Sequence, residues 1–239
     1  MGKHISQPDF VSGQAYHIVN HANGFEDLFL WPSDYRYWLK NFRYRVQPVA
    51  EILSYNLLSN HFHIVLRPRP EEVLDEYFRE FERRKKRPYF IPKKYQGARR
   101  YHYLVGRQLA NFLNGYSKGF NRKHNRRGKL ILPNTRRFLI DSVRYLKAAI
   151  RYVNANAVHH RIVSNIHDHE HSSFHSHFKP GWFDIPTQEI EDLFGGREQF
   201  IRIHETAYQR PTFVVPFEPP EFPVPPDTRI IRSVGDNRK

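Results

Sequence analysis

Apolar positions dominate residues 14–22, QAYHIVNHA, whose mix of aromatic and branched residues predicts a first β-strand. A helical period follows. After the turn Pro32-Ser33-Asp34, the residues Tyr35, Trp38, Leu39 and Phe42 recur at helical spacing. Past Pro48, two β-like runs, EILSYNLL and HFHIVLRP, flank Ser59-Asn60, a gap short enough for an antiparallel hairpin. EEVLDEYFREFE is helical by propensity and gives way to RRKKRPYFIPKKYQGARRYHY, whose cations, aromatics and two prolines predict an exposed loop or arm. Leu104 to Phe120 is helical again, NRKHNRRGK is a basic turn, and a further helix is expected from Ser142 to about His160. That last helix places Val143, Leu146, Ile150 and Val153 on one face. After Thr187, two shorter helices are expected around EIEDLF and REQFIRIHE. From Pro211 onward, seven of the 17 prolines fall within sixteen residues, which predicts an extended or disordered tail over 211–239. Helices interleave with strands, two of them adjacent mid-chain, so the expected class is α+β with an antiparallel sheet rather than a doubly wound fold.

The 239 residues suit one large domain or two small ones, and 19 Phe with 14 Tyr supply bulk for a core. Cysteine is absent, which excludes disulfides, thiolate metal sites and a cysteine nucleophile together. No apolar run approaches the roughly 18 residues of a membrane span. MGKHISQPDF lacks the apolar core of a signal peptide, so a cytoplasmic protein without membrane partners is expected. Gly2 and Ser6 fit the loose myristoylation pattern, a match too common by chance to carry weight.

Charge sharpens the picture. Lys and Arg number 38 against 24 acids, a net charge of +14, which suits a polyanionic partner because neutralised phosphates release counterions. Residues 118–151 hold eleven cations and one acid, Asp141. A second cluster, from Arg83 to Arg107, interleaves cations with Tyr89, Phe90, Tyr95, Tyr101 and Tyr103. Cations that track phosphate beside rings that stack on bases favour single strands. The expected contacts are Arg83, Arg84, Lys85, Lys86, Arg87, Lys93, Lys94, Arg99 and Arg100 in one cluster. In the other they are Arg122, Lys123, Arg126, Arg127, Lys129, Arg136, Arg137 and Arg151. A solvated basic face is the plainer alternative.

Chemistry enters with His61-Phe62-His63. On a strand the two imidazoles project from one side, about 7 Å apart, and can chelate one divalent metal. With 15 histidines in the chain, such a pair also arises by chance. Tyr152 and Asn156 lie four apart, one turn along a helix, where Tyr152 can be a nucleophile and the Asn156 carbonyl a third, neutral ligand. A packing role for Tyr152 is the plain alternative. HDHEHSSFHSH, with His167, His169, His171, His175 and His177, is either a second transition-metal site or a polar turn that happens to be His-rich.

Taken in order, several segments resemble the single-tyrosine transposases of the HUH endonuclease superfamily, and most of all the REP-associated tyrosine transposases and their insertion-sequence relatives. The segments are YHIVNHANGFEDLF, DYRYWLKNF, EILSYNLLSNHFHIVL, LNGYSKGFNRKHNRRGKL, YLKAAIRYVNANAV and SSF, spanning roughly Ala15 to Phe178. The resemblance implies His61 and His63 as metal ligands, Asn156 as the third, Tyr152 as nucleophile, and Mg²⁺ or Mn²⁺ as the metal. It implies cleavage and rejoining of single-stranded, hairpin-containing DNA through a 5′-phosphotyrosine, in the course of DNA transposition. The fold implied is an RRM-like or ferredoxin-like antiparallel sheet of four or five strands, with helices on one face and the tyrosine helix across the site. The domain would cover 1–180 with a basic insertion at about 83–103, followed by a helical extension over 181–210. Relatives work as monomers or as homodimers, and the resemblance admits both. Ala157 stands where the family has proline, Arg161 where glycine is frequent, and LILPNTRRF where an aromatic-glutamine pair is usual. These departures touch the helix end and local DNA contacts, not the catalytic groups. Three other readings stay open: a non-catalytic or domesticated single-stranded nucleic-acid-binding protein, a replication or conjugation initiator, and a nuclease that acts through water.

Overall fold

A computed structural model describes residues 7–206, so the proline-rich segment 211–239 lies outside the described residues. Four strands, β1 (Ala15–His21), β2 (Ala50–Leu57), β3 (His61–Pro68) and β4 (Arg136–Ile140), form one antiparallel sheet in the order β2-β3-β1-β4. Around it stand α1 (Pro32–Arg45), α2 (Glu71–Lys85), α3 (Arg99–Lys123), α4 (Val143–Asn154), α5 (Asn156–His159), α6 (Thr187–Leu193) and α7 (Arg197–Glu205). The α+β class and the four-stranded antiparallel sheet are as the sequence predicts.

Alternation divides the sheet into two faces. Tyr16, Ile18, Phe62, Ile64 and Leu66 pack with Trp38 and Phe42 of α1 and Leu104, Phe112 and Tyr116 of α3. Trp38 and Phe42 stack at 4.9 Å, and Phe112 meets both edge-on. The opposite face carries Ala15, Val65 and Ile140 beneath Tyr145, Ala149, Tyr152 and Val153 of α4, with Ile190, Phe194 and Phe200 of α6 and α7 closing the layer. In β2 the register shifts between Ile52 and Ser54, a bulge that makes Leu53 an extra residue. Tyr55 and Leu57 thereby join the α1/α3 side with Ile52, while Ser54 turns to α4.

Three elements depart from the sequence expectation. The basic arm is shorter than 83–103, because α2 runs on through Arg83, Arg84 and Lys85 and α3 already starts at Arg99. Arg83 and Arg84 bond back to Glu80 one turn earlier, at 2.8 and 3.3 Å, which lets a cationic run stay helical. The helix expected to reach His160 breaks at Ala155 (φ −85°, ψ 4°), so α4 and α5 are separate. Strand β4 begins at the end of the segment LILPNTRRF and runs on to Ile140, where no strand was expected; two arginines mask its period, and pairing with β1 supplies the order.

Asp34 fixes the start of α1. Its buried carboxylate accepts from the Leu30 and Trp31 amides at 3.0 and 2.9 Å, and from Lys123 Nζ at 2.6 Å and His124 Nε2 at 3.0 Å beyond the end of α3. Burial alone would raise its pKa, but these bonds together hold it below the ordinary value. Asp34→Ala removes the cap and strands its donors, and is expected to cost about 2–3 kcal/mol in urea unfolding. An unchanged midpoint would contradict this account of the α1–α3 junction.

Candidate active site

Seven polar side chains from four elements meet where α4 and α5 cross the sheet: His17 and His21 of β1, His61 and His63 of β3, Tyr152 of α4, Asn156 of α5 and His160 just beyond it. The register sets Val19 opposite His63 and His21 opposite His61, so the four strand histidines share one face as alternation requires. His61 and His63 ring centroids are 5.3 Å apart, and Tyr152 meets the His63 ring edge-on at 5.4 Å. His61 stacks on His21 at 4.6 Å and meets His160 at 5.0 Å, while His159 approaches Tyr152 at 5.9 Å.

The rings are buried and neutral. Burial takes His17 and His21 down to about 4, with Arg136 and His160 adding to the effect on His21. His61 and His63 fall well below the ordinary imidazole value, mainly through burial and then through neighbouring histidines. Neutral imidazoles are the form that binds metals. His61 Nδ1 lies 2.6 Å from Asn60 Oδ1, an acceptor only, so its proton sits on Nδ1 and Nε2 is bare. The Asn156 amide sits beside the His61 ring and opposes its shift in part, yet neither its oxygen nor its nitrogen makes a hydrogen bond of normal geometry. Among the described residues no three His, Asp or Glu side chains are grouped to hold a metal. An ion here would therefore take two imidazoles and the Asn156 oxygen, a donor set suited to a borderline divalent cation. The orphaned, fully buried amide fits that set.

A second polar network seats the end of α4. Asn154 Oδ1 accepts from Ser54 Oγ at 3.0 Å and Ser173 Oγ at 2.7 Å, while Ser173 Oγ also accepts from the Tyr55 amide at 2.9 Å. Asn56 Nδ2 donates to the Asn154 carbonyl at 3.2 Å, and Ser172 bridges to the Asn56 backbone. The Ser-Ser-Phe element thus ties α4 to β2 two residues after Tyr152. The Ser-Ser-Phe element was singled out in the sequence, whereas Ser54, Asn56, Asn154 and His17 were not; the one signal of Ser54, Asn56 and His17 is polarity inside otherwise apolar strands. The His-rich segment disperses: His169 Nε2 meets the Leu57 carbonyl at 3.1 Å, His171 stacks on Tyr35 at 3.6 Å, and His177 Nδ1 meets Glu191 at 2.9 Å.

The cations fall into two groups. Arg99 pairs with Asp9, Arg100 with Asp75, Lys123 with Asp34 and Arg126 with Glu26, while Arg137 is half-buried over the Phe10 ring. Lys85, Lys86, Arg87, Lys93, Lys94, Arg122, Arg127, Lys129 and Arg136 are exposed. Arg136 stands opposite Val19 on the site's face of the sheet, whereas Arg137 faces away beside Ile18. Arg151 is partly buried on α4.

No family model matches the chain. No curated protein matches it either. Among solved structures, the chain is similar to that of a REP-associated tyrosine transposase bound to a REP hairpin. The two share 15% identity over 77% of this chain and 88% of the other, with a TM-score of 0.46.

Acid should loosen this fold. Burial holds His169, His171 and His204 down to about 4, as it does His17. Unfolded rings protonate near 6.5, so between 6.5 and 4 the unfolded state binds more protons and stability falls as pH drops. Each such ring contributes a loss of up to about 1.4 kcal/mol per pH unit. Urea unfolding at pH 7.5, 6.0 and 5.0 measures it; a flat or rising midpoint on acidification would contradict the assignment.

Proposed function

We propose that the protein is a metal-dependent single-strand DNA endonuclease and strand transferase, a transposase, with Tyr152 as its nucleophile. The observation that carries this reading is the convergence of Tyr152 on His63 beside His61 and an unpartnered, buried Asn156 amide. A packing tyrosine needs no such neighbours. His61, His63 and Asn156 would hold a Mg²⁺ or Mn²⁺ ion, which when bound supplies Lewis-acid polarisation of a phosphate and neutralises developing charge. Tyr152 Oη gives up its proton and attacks phosphorus, the bond to the 3′-oxygen breaks, and that oxygen takes up a proton to leave a free 3′-hydroxyl. The new 5′-phosphotyrosine conserves the phosphodiester, so a second 3′-hydroxyl can displace Tyr152 and rejoin DNA without an external energy source.

Tyr152, both histidines and Asn156 come from one chain, which supports a site that needs no second copy to assemble. Tyr152 is 5% exposed and His63 1%, so a phosphodiester reaches them only when the cover formed by α4 and α5 shifts. The exposed cations of 86–94 and 122–136 support strand binding, and the motifs shared with REP-associated transposases favour hairpin-containing DNA as substrate. Arg136, exposed on the site's own face, is the cation best placed for phosphate near the reaction.

Covalent trapping tests the chemistry. With labelled hairpin-bearing single strands and Mn²⁺, wild type should form a protein–DNA adduct on a denaturing gel. Tyr152→Phe should form none while still binding the strand, and His63→Ala should cleave at least about 10³-fold more slowly. Cleavage without an adduct would assign the attack to water, and binding that survives chelation without any cleavage would favour a binding module. Separately, Arg136→Ala should weaken strand binding and lower the salt slope by about one. An unchanged slope would remove Arg136 from the DNA path.

A further inference from the structure

His17 is a polar residue where alternation asks for an apolar one. Its strand neighbours across the sheet are Val65 and Phe138, it is 1% exposed, and its one hydrogen bond is to His63. His17 Nε2 lies 2.9 Å from His63 Nδ1, with the ring centroids 5.1 Å apart and the ring planes 26° from parallel. A contact between two neutral imidazoles needs one proton between them, and it admits two arrangements. If the proton belongs to His17 Nε2, then His63 accepts at Nδ1 and carries its own proton on Nε2, where it can bind nothing that needs a lone pair. If the proton belongs to His63 Nδ1, then His17 accepts and His63 Nε2 is bare. His17 Nδ1 is buried without a partner in either case, so that atom does not choose between them.

We propose that His17 is the positioning residue of His63, accepting its Nδ1 proton so that the ring is held in one orientation with Nε2 bare toward the site. The inference rests on the reading of His63 as a metal ligand. It gives His17 the task that Asn60 performs for His61, whose Nδ1 faces an amide oxygen at 2.6 Å. Both ligating rings are then oriented through Nδ1 and present Nε2, as outer partners of metal-binding histidines generally arrange. A phenylalanine at position 17 would fill the space and leave His63 Nδ1 without its acceptor. A glutamine, whose amide oxygen reaches where imidazole Nε2 stands, would restore it.

Long-range ¹H–¹⁵N spectra of the metal-free protein read the His63 tautomer directly, with His63→Gln assigning the signals. Wild type should show His63 protonated at Nδ1. His17→Phe should shift His63 toward the Nε2–H form and weaken Mn²⁺ binding about 10–100-fold by calorimetry, while His17→Gln should recover most of both. The proposal is overturned if His63 carries its proton on Nε2 in wild type, or if His17→Phe changes neither tautomer nor affinity. It is equally overturned if Phe and Gln weaken binding alike, which would mean a packing role only. Failure of wild type to bind Mn²⁺, or binding indifferent to His61→Ala, would instead refute the metal reading, and the His63 tautomer would still decide the part played by His17.

Discussion

Burying imidazole and amide groups between a sheet and a helix is the constraint on which this structure depends. Each such group loses its water, so each ring must be neutral and needs a protein partner or a ligand for its nitrogens. Helix α4 meets that demand in two adjacent patches. Toward its end, Asn154 gathers two serine hydroxyls and the Asn56 amide nitrogen into a network that seats the helix on β2. Two residues to either side, Tyr152 and Asn156 face histidines, and there the bonding is left incomplete at the Asn156 amide. The first patch, through the several bonds of Asn154, specifies where the helix lies, while at the second both polar atoms of one amide are left without a partner.

Electrostatics follows the same division. The cations nearest the framework are consumed by it: Lys123 holds the Asp34 cap, Arg126 closes on Glu26, and Arg100 reaches Asp75. Such pairs fix α3 against its neighbours and have little left for a polyanion. Many of the exposed cations among the described residues sit on the 86–98 connection and the turn before β4, where the backbone runs over the surface. A +14 total thus overstates the charge available for binding, and its placement matters more than its sum.

Much of this was legible in the chain. Strand alternation placed His61 and His63 on one face, Pro32 and Asp34 marked the start of α1, and the hairpin at Ser59-Asn60 is where its composition put it. What escaped the sequence is long-range. A period of two cannot reveal a bulge, so the inversion at Leu53 that turns Ser54 toward α4 was invisible. Two arginines hid β4 because its order comes from β1 rather than from its own apolar content. Nothing in local propensity required the break at Ala155. The role of His17 could be read only once β1 was laid beside β3, since its partner lies 46 positions away.

The order in which the parts occur along the chain has a consequence for synthesis. The histidines of β1 and β3 lie within the first 63 residues, whereas Tyr152 and Asn156 arrive about ninety residues later, after all of α2, α3 and β4. A chain emerging from the ribosome can therefore pair β1, β2 and β3 and build the α1/α3 core before Tyr152 and Asn156 have been made. On the proposed function, strand chemistry would become available only when α4 has been made and seated by Ser173, itself 21 positions further on from Tyr152. Incomplete or truncated chains that carry the basic turn and the histidines would, on that reading, be inert toward DNA bonds.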